Sequence, residues 1–377
     1  MRTIHRFVLL LAMLTMFLAA ASSSASLGRY GPRAGAFSTT LPFAEEVRDV
    51  AVEGDYAYVA AGNRVYVVDV SNPTHTIVKG QVESGPMGWA TVIAAARGYV
   101  YVIDGVDYLT IIDTANPSAP RLVSSSRLFG GANDIALHET YAYVVDDGYK
   151  ALFIIDVSDP AMPKEVGRLE HLGNLIHIDV AEHPDQAGRV YAYITGAPVP
   201  GPIGSDPEGN PFAIIDVTDP TRPHQVYPYG TGGSYGLHDV AVVGRYVYLT
   251  AHDPAGGMLR GFNVLDMTDP VLPRPVGYLE MPTGPYNLAL QGASAAMTGE
   301  GDVLYEVEVG DVAHLRARGQ RALEAPGREV RLAAANGCVY AAMRAHGLQI
   351  TCSSVVTPTP PPLVWLPLWV TPAAQAG

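Results

Sequence analysis

The sequence is poor in the residues from which most catalytic and metal motifs are built. With two cysteines it has neither a cysteine-rich zinc site nor a multi-disulfide scaffold. It contains no H-E-x-x-H, no phosphate-cradling G-x-x-x-x-G-K-[ST] and no paired-cysteine metal or haem motif. Only 16 % of the residues are charged, and acids outnumber bases to give a net charge of −13. That balance argues against nucleic acid or an anionic membrane as partner and favours cations. Helical periodicity is also missing, which excludes the ankyrin, TPR and HEAT repeats.

What is present is a repeat. The stretch 141–169, YAYVVDDGYKALFIIDVSDPAMPKEVGRL, reads as two β-rich runs joined by an Asp-Asp-Gly turn, then a Ser-Asp-Pro turn and a third run. An alternating run from Asp134 to His138 precedes it, so the unit is a four-stranded antiparallel meander. The aspartate that closes the apolar run recurs as Asp69, Asp113, Asp156, Asp216 and Asp266, and Glu308 and Cys352 take its place in the last two units. Successive spacings are 44, 43, 60, 50, 42 and 44 residues. Four short strands at this period cannot bury their own faces unless neighbouring units lean on one another. The expectation is therefore an all-β, seven-bladed β-propeller of four-stranded antiparallel blades. Tyrosine pairs such as Tyr56-Tyr58, Tyr99-Tyr101 and Tyr141-Tyr143 recur in the second strands, where they would fill the wedge between blades.

The seventh unit lacks a fourth strand, because the chain runs into proline-rich sequence after Cys352. Phe37 to Phe43 is expected to supply it and to close the ring with both chain ends in one sheet. The five carboxylates Asp69, Asp113, Asp156, Asp216 and Asp266 each precede a tight turn and are expected to bond its backbone amides. Cys338 and Cys352 fall on adjacent antiparallel strands of the last unit and are expected to form a disulfide.

The run VYVVD (Val65 to Asp69) returns as LTIID (Leu109 to Asp113), LFIID (Leu152 to Asp156), FAIID (Phe212 to Asp216) and FNVLD (Phe262 to Asp266), each followed by an Asx-Pro turn. In these runs the chain resembles the LVIVD-repeat family. The resemblance implies an exported or surface propeller and no particular activity.

Residues 1–25 read as a secretory signal peptide: Arg2 and Arg6, an apolar stretch from Phe7 to Ala21, and Ser23-Ser24-Ala25 as cleavage site. Cleavage would take the net charge from −13 to about −15. Residues 26–36 read as a disordered linker, 37–354 as the propeller, and 355–377 as a proline-rich tail whose LVWLPLWV is too short to span a bilayer. The expected location is secreted or cell-surface, as a monomer without a transmembrane helix in the mature chain.

Two insertions, at 183–189 and 196–211, lengthen the fourth unit, and a shorter one, at 252–261, lengthens the fifth. Long loops on a regular scaffold are where function sits. Near them gather His177, Asp179, His238, Asp239, His252 and Asp253, the candidate ligand-binding residues. Imidazoles beside carboxylates suit a divalent cation or acid/base chemistry, although nothing in the sequence requires a cofactor. His177 and His238 stand differently against their neighbouring aspartates, which counts against a shared site, and Asp49, Asp134, Asp179 and Asp239 at one register read as structural acceptors. The functional expectation is a binding module for an extracellular protein or glycan. A metal-assisted hydrolase or lyase and a structural surface component are the alternatives.

Overall fold

The computed structural model describes residues 37–85, 88–128, 130–197, 212–229, 236–252, 261–300, 302–323 and 330–352. These form seven four-stranded antiparallel sheets and no helix. Blades 1 to 6 occupy 47–83, 90–127, 132–169, 174–229, 236–280 and 285–322, each a simple meander. Blade 7 takes three strands from 331–352 and its outer strand, Phe37–Leu41, from the front of the chain. Phe37 lies opposite Cys352 and Leu41 opposite Leu348, so the ring closes through strands at opposite ends of the sequence.

The core is the set of blade interfaces. Between blades 3 and 4, Tyr143, Leu152 and Ile154 pack against Ile178, Ala192 and Ile194 in one buried cluster, and comparable clusters repeat around the ring. Tyr58, Tyr101, Tyr143, Tyr193 and Tyr248 are buried in these wedges, each sharing its sheet face with the tyrosine two residues before it.

The turns after the third strands explain the repeated aspartates. Asp69 accepts the N–H of Ser71, Asp113 that of Ala115, Asp156 that of Ser158, Asp216 that of Thr218 and Asp266 that of Thr268. Three residues later a second Asx repeats the device, as Asp159 does for Ala161 and Asp219 for Thr221. Each turn then reaches sideways. The carbonyl of Pro220 in blade 4 lies directly against Gly167 on the outer strand of blade 3, where any Cβ would collide. Gly80 meets Pro117 and Gly277 meets Val312 in the same way.

Cys338 and Cys352 face each other across adjacent strands and are joined as a disulfide. The bridge closes a short loop, so replacing both cysteines by serine is expected to cost about 3 kcal/mol. Urea unfolding of the double variant against the oxidised parent measures it.

Candidate functional site: the axial channel and its rim

First strands line the axis, and a β-bulge near the start of most of them sets which side chains face the lumen. The uppermost ring comprises Asp49, Val92, Asp134, His177, Asp239, Asn287 and Arg331, one from each blade. Two residues further on, opposite the inward tyrosine position of the second strand, stand Ala51, Ala94, Ala136, Ala241, Ala289 and Ala333, with Asp179 taking that place in blade 4. This corrects the sequence expectation, which put Asp179 in register with Asp49, Asp134 and Asp239. Pairing with the second strand sets His177 opposite Thr195, in that register, and Asp179 opposite Tyr193, one layer down.

The acids bind blade to blade. Asp49 accepts the N–H of its own Val50 and of Ile93 in blade 2, at 2.8 and 3.0 Å. Asp134 accepts Ile178 N–H, Asp239 accepts Val240 and Leu288, and Asp179 accepts Val180 and Val242. Each carboxylate thus replaces the hydrogen bonds that a first strand, with no further neighbour, cannot make.

At the centre, His177 Nδ1 lies 3.1 Å from Asp134 Oδ2, 3.6 Å from Asp239 Oδ1 and 2.8 Å from Arg331 Nη1. Arg331 also donates to the carbonyl of Asn133 at 3.2 Å and comes within 4.0 Å of Asp134 Oδ1. A single ring nitrogen either donates to the carboxylate or accepts from the guanidinium, so these two contacts compete and the tautomer decides between them. Burial pushes Asp49 up to about 6 against the pull of Arg331, and pushes Asp179 up to about 7 against two backbone N–H donors. Asp239 is likewise raised by burial, with His177 opposing. Burial acts on Asp134 too, but the hydrogen bond and charge of His177, with Arg331, outweigh it and hold that carboxyl below the usual range. Four carboxyls therefore share one guanidinium and one imidazole.

Connections entering the first strands and those between second and third strands share the rim above this ring. On it Trp89 is 62 % exposed and Tyr149 55 % exposed, with Val106 exposed between them in sequence. The rim is tied together by hydrogen bonds: Gly105 N–H to Trp89 carbonyl, Leu128 N–H to Asp107 carbonyl, and Gly130 and Tyr149 N–H to the two carboxylate oxygens of Asp146. Arg48 lies over the Trp89 ring at 5.0 Å and Arg168 over Tyr149 at 5.9 Å.

With this geometry in view, comparison with known proteins is informative about the repeat. The LVIVD repeat matches residues 44–84, 87–127 and 129–170, one blade each. The first three blades are LVIVD repeats. Their signature aspartates are Asp69, Asp113 and Asp156, which hold the turns. No curated protein matches in sequence. Among solved structures the chain is similar to the WD40 repeats of RRP9, at 12 % identity and TM-score 0.60 over 86 % of this chain and 99 % of that one. It is also similar to the Cps50 (Swd1) β-propeller domain of Myceliophteria thermophila, at 14 % identity and TM-score 0.59 over 85 % and 100 %. A Lactobacillus plantarum protein matches at 14 % identity and TM-score 0.59 over 76 % and 88 %. At these identities the likeness shows the fold alone.

The other sequence candidates separate. His177, Asp179 and Asp239 reach the lumen, whereas the His238 ring packs edge-on against Tyr286 at 4.8 Å. The backbone of His252 pairs with Gly236, and Asp253 lies outside the described residues, as do 198–211 of the long insertion. The insertion at 183–189 joins the first strand to the second and so sits on the opposite rim, where His183 donates to the carbonyl of Met267 at 2.8 Å. Among the described residues no group of three or more His, Cys, Asp or Glu is arranged to hold a metal ion. Arg331, the cation of the lumen ring, escapes a reading of the sequence because its partners lie two to six blades away in the chain. The sequence also contains Gly232-Gly233-Ser234-Tyr235-Gly236, which spells G-x-S-x-G. That pentapeptide leads into the strand Gly236–Val243, not into the helix that a nucleophile elbow requires.

Proposed function

We propose that this chain is an exported or cell-surface interaction module that engages an extracellular protein or glycan on the rim above the polar lumen. The observation that carries the reading is the exposed pair Trp89 and Tyr149, held on hydrogen-bonded connections of a closed ring. Tryptophan, tyrosine and arginine dominate binding energy at interfaces, and rigid rings lose little entropy when covered. The strands that flank the insertions 196–211 and 252–261 meet the same rim in blades 4 and 5. The apolar start of the chain supports export, and the resemblance of the repeats supports a surface location.

The test uses a partner captured by the mature protein and quantified by surface binding. The double variant Trp89→Ala, Tyr149→Ala is expected to lose on the order of 10³-fold in affinity, since each truncation at a hot spot costs about 2 kcal/mol and the two add to about 4. Met162→Asp, exposed on the opposite rim, is expected to leave affinity unchanged. Equal loss from both variants, or from neither, would reject the assignment of this rim.

A further inference from the structure

The seam between blades 1 and 2 differs from the others at one buried place beneath the Trp89 connection, with Ser84 at the end of blade 1 and Thr110 and Ser125 in blade 2. Ser84 N–H donates to Asn63 carbonyl, the bond that Leu128, Leu172 and Leu323 make to Asp107, Lys150 and Asp302 in other blades. Where those three place a buried or half-buried leucine, Ser84 places a hydroxyl at 0 % exposure. Thr110, also buried, stands where Tyr66, Phe153 and Tyr305 stand in blades 1, 3 and 6, and its cross-strand partner Ser125 stands where they pair with Gln81, Arg168 and Gln320. Three bulky side chains have been exchanged for three hydroxyls.

The hydroxyls gather round a carboxylate. Asp104 is 2 % exposed; its Oδ1 accepts Val106 and Tyr108 N–H, both at 3.0 Å, while its Oδ2 has no hydrogen-bond partner among the described residues. Ser84 Oγ has none either. A Cβ on the intervening Gly85 would lie 2.8 Å from Thr110 Oγ1, 3.4 Å from Asp104 Oδ2 and 3.8 Å from Ser125 Oγ, so three oxygens converge on one point beside Ser84. The matching aspartate of blade 3, Asp146, uses both oxygens on backbone N–H groups at 2.7 Å. A buried carboxylate oxygen left without a donor costs several kcal/mol unless something positive meets it.

We propose that Ser84, Asp104, Thr110 and Ser125 form a site for one hard, oxygen-liganded cation of the alkali or alkaline-earth type. One carboxylate with three hydroxyls offers neither the nitrogen nor the sulfur that zinc or copper select. Its occupation would fix the base of the connection that ends in Trp89, and the site stands whether or not that rim binds a partner.

Thermal unfolding of the mature protein in NaCl, in CaCl2 and in choline chloride at equal ionic strength tests this. Na+ or Ca2+ is expected to raise Tm over choline by about 3 °C or more, as mass action on the native state requires, and the arm that responds names the ion. Asp104→Asn is expected to abolish the difference. Should that variant not fold, Ser84→Leu restores the side chain of the other blades and is expected to fold while losing the response. Equal Tm in all three salts, or a cation-specific rise that survives in both variants, would overturn the proposal.

Discussion

Removing residues 37–43 is expected to destabilise the ring by about 4 kcal/mol or more, shown by a fall in the midpoint of thermal unfolding and by self-association in size-exclusion chromatography. Phe37, Leu41 and Phe43 are partly buried in the cluster that joins blade 7 to blade 1, and Phe43 meets Tyr66 of blade 1 edge-on at 5.0 Å. Three half-buried apolar side chains at roughly 1 to 1.5 kcal/mol each supply that figure. The loss of pairing adds to it: the strand Leu348–Cys352 would become an edge, with a row of unpaired backbone groups available to another chain. The disulfide does not compensate, since it joins Cys338 to Cys352 within the C-terminal part of the blade and leaves Phe37–Leu41 held by hydrogen bonds and packing. The Val47–Arg344 backbone pair and the bond from Asn336 to the Gly54 carbonyl would remain as polar links between blades 7 and 1. A shortened chain that stays monomeric with an unchanged midpoint would show that closure contributes little.

The ring was legible in the sequence because its repeat is carried by the strands' own chemistry. An apolar third strand ending in aspartate, an Asx-Pro turn and a tyrosine-marked second strand are local features, and the missing outer strand of blade 7 could be located by elimination. Lumen register was not legible. Aligning the blades on their aspartates places Asp179, and His177 with it, one layer too high, because pairing with the second strand sets Asp179 opposite Tyr193 and His177 opposite Thr195. The alanines offered a signal: Ala51, Ala94 and Ala136 lie opposite Tyr58, Tyr101 and Tyr143, and the residue opposite Tyr193 is Asp179. The pairing of His177 with Arg331 spans 154 residues, and no local pattern encodes a contact made only by closing a circle. The polar pocket between blades 1 and 2 escaped for another reason: serine and threonine in a strand are unremarkable until the other blades show what usually fills that volume.

Arg331→Met is expected to cost about 3 kcal/mol at pH 7.5 and markedly less at pH 5. Methionine keeps much of the volume and removes the charge, leaving Asp49, Asp134, Asp179 and Asp239 with the His177 imidazole as their remaining nitrogen partner in the ring. Withdrawing one partner from a buried ionic cluster typically costs about 3 to 5 kcal/mol, and the partial exposure of Arg331 argues for the lower end. The pH dependence follows from the direction of the shifts. Asp49, at about 6, and Asp179, at about 7, titrate above the carboxyl value of 3.8, so the native state holds their protons more tightly than the unfolded chain does. Their contribution is fully favourable below about 3.8 and is lost as pH rises through 6 to 7. Asp69, Asp113 and Asp156 have the opposite sign: turn hydrogen bonds lower them, so their stabilisation is present above 3.8 and disappears as pH falls below it. Stability of the parent protein should therefore be greatest between the two windows and decline toward neutrality as the lumen acids ionise. Arg331 offsets that decline, and without it the acids repel one another unshielded, so the variant's loss grows with pH. Urea unfolding of parent and variant at pH 5 and 7.5 reads the difference directly. A cost independent of pH would mean that Arg331 acts through packing and its bond to the Asn133 carbonyl, not through the charge it brings to the axis.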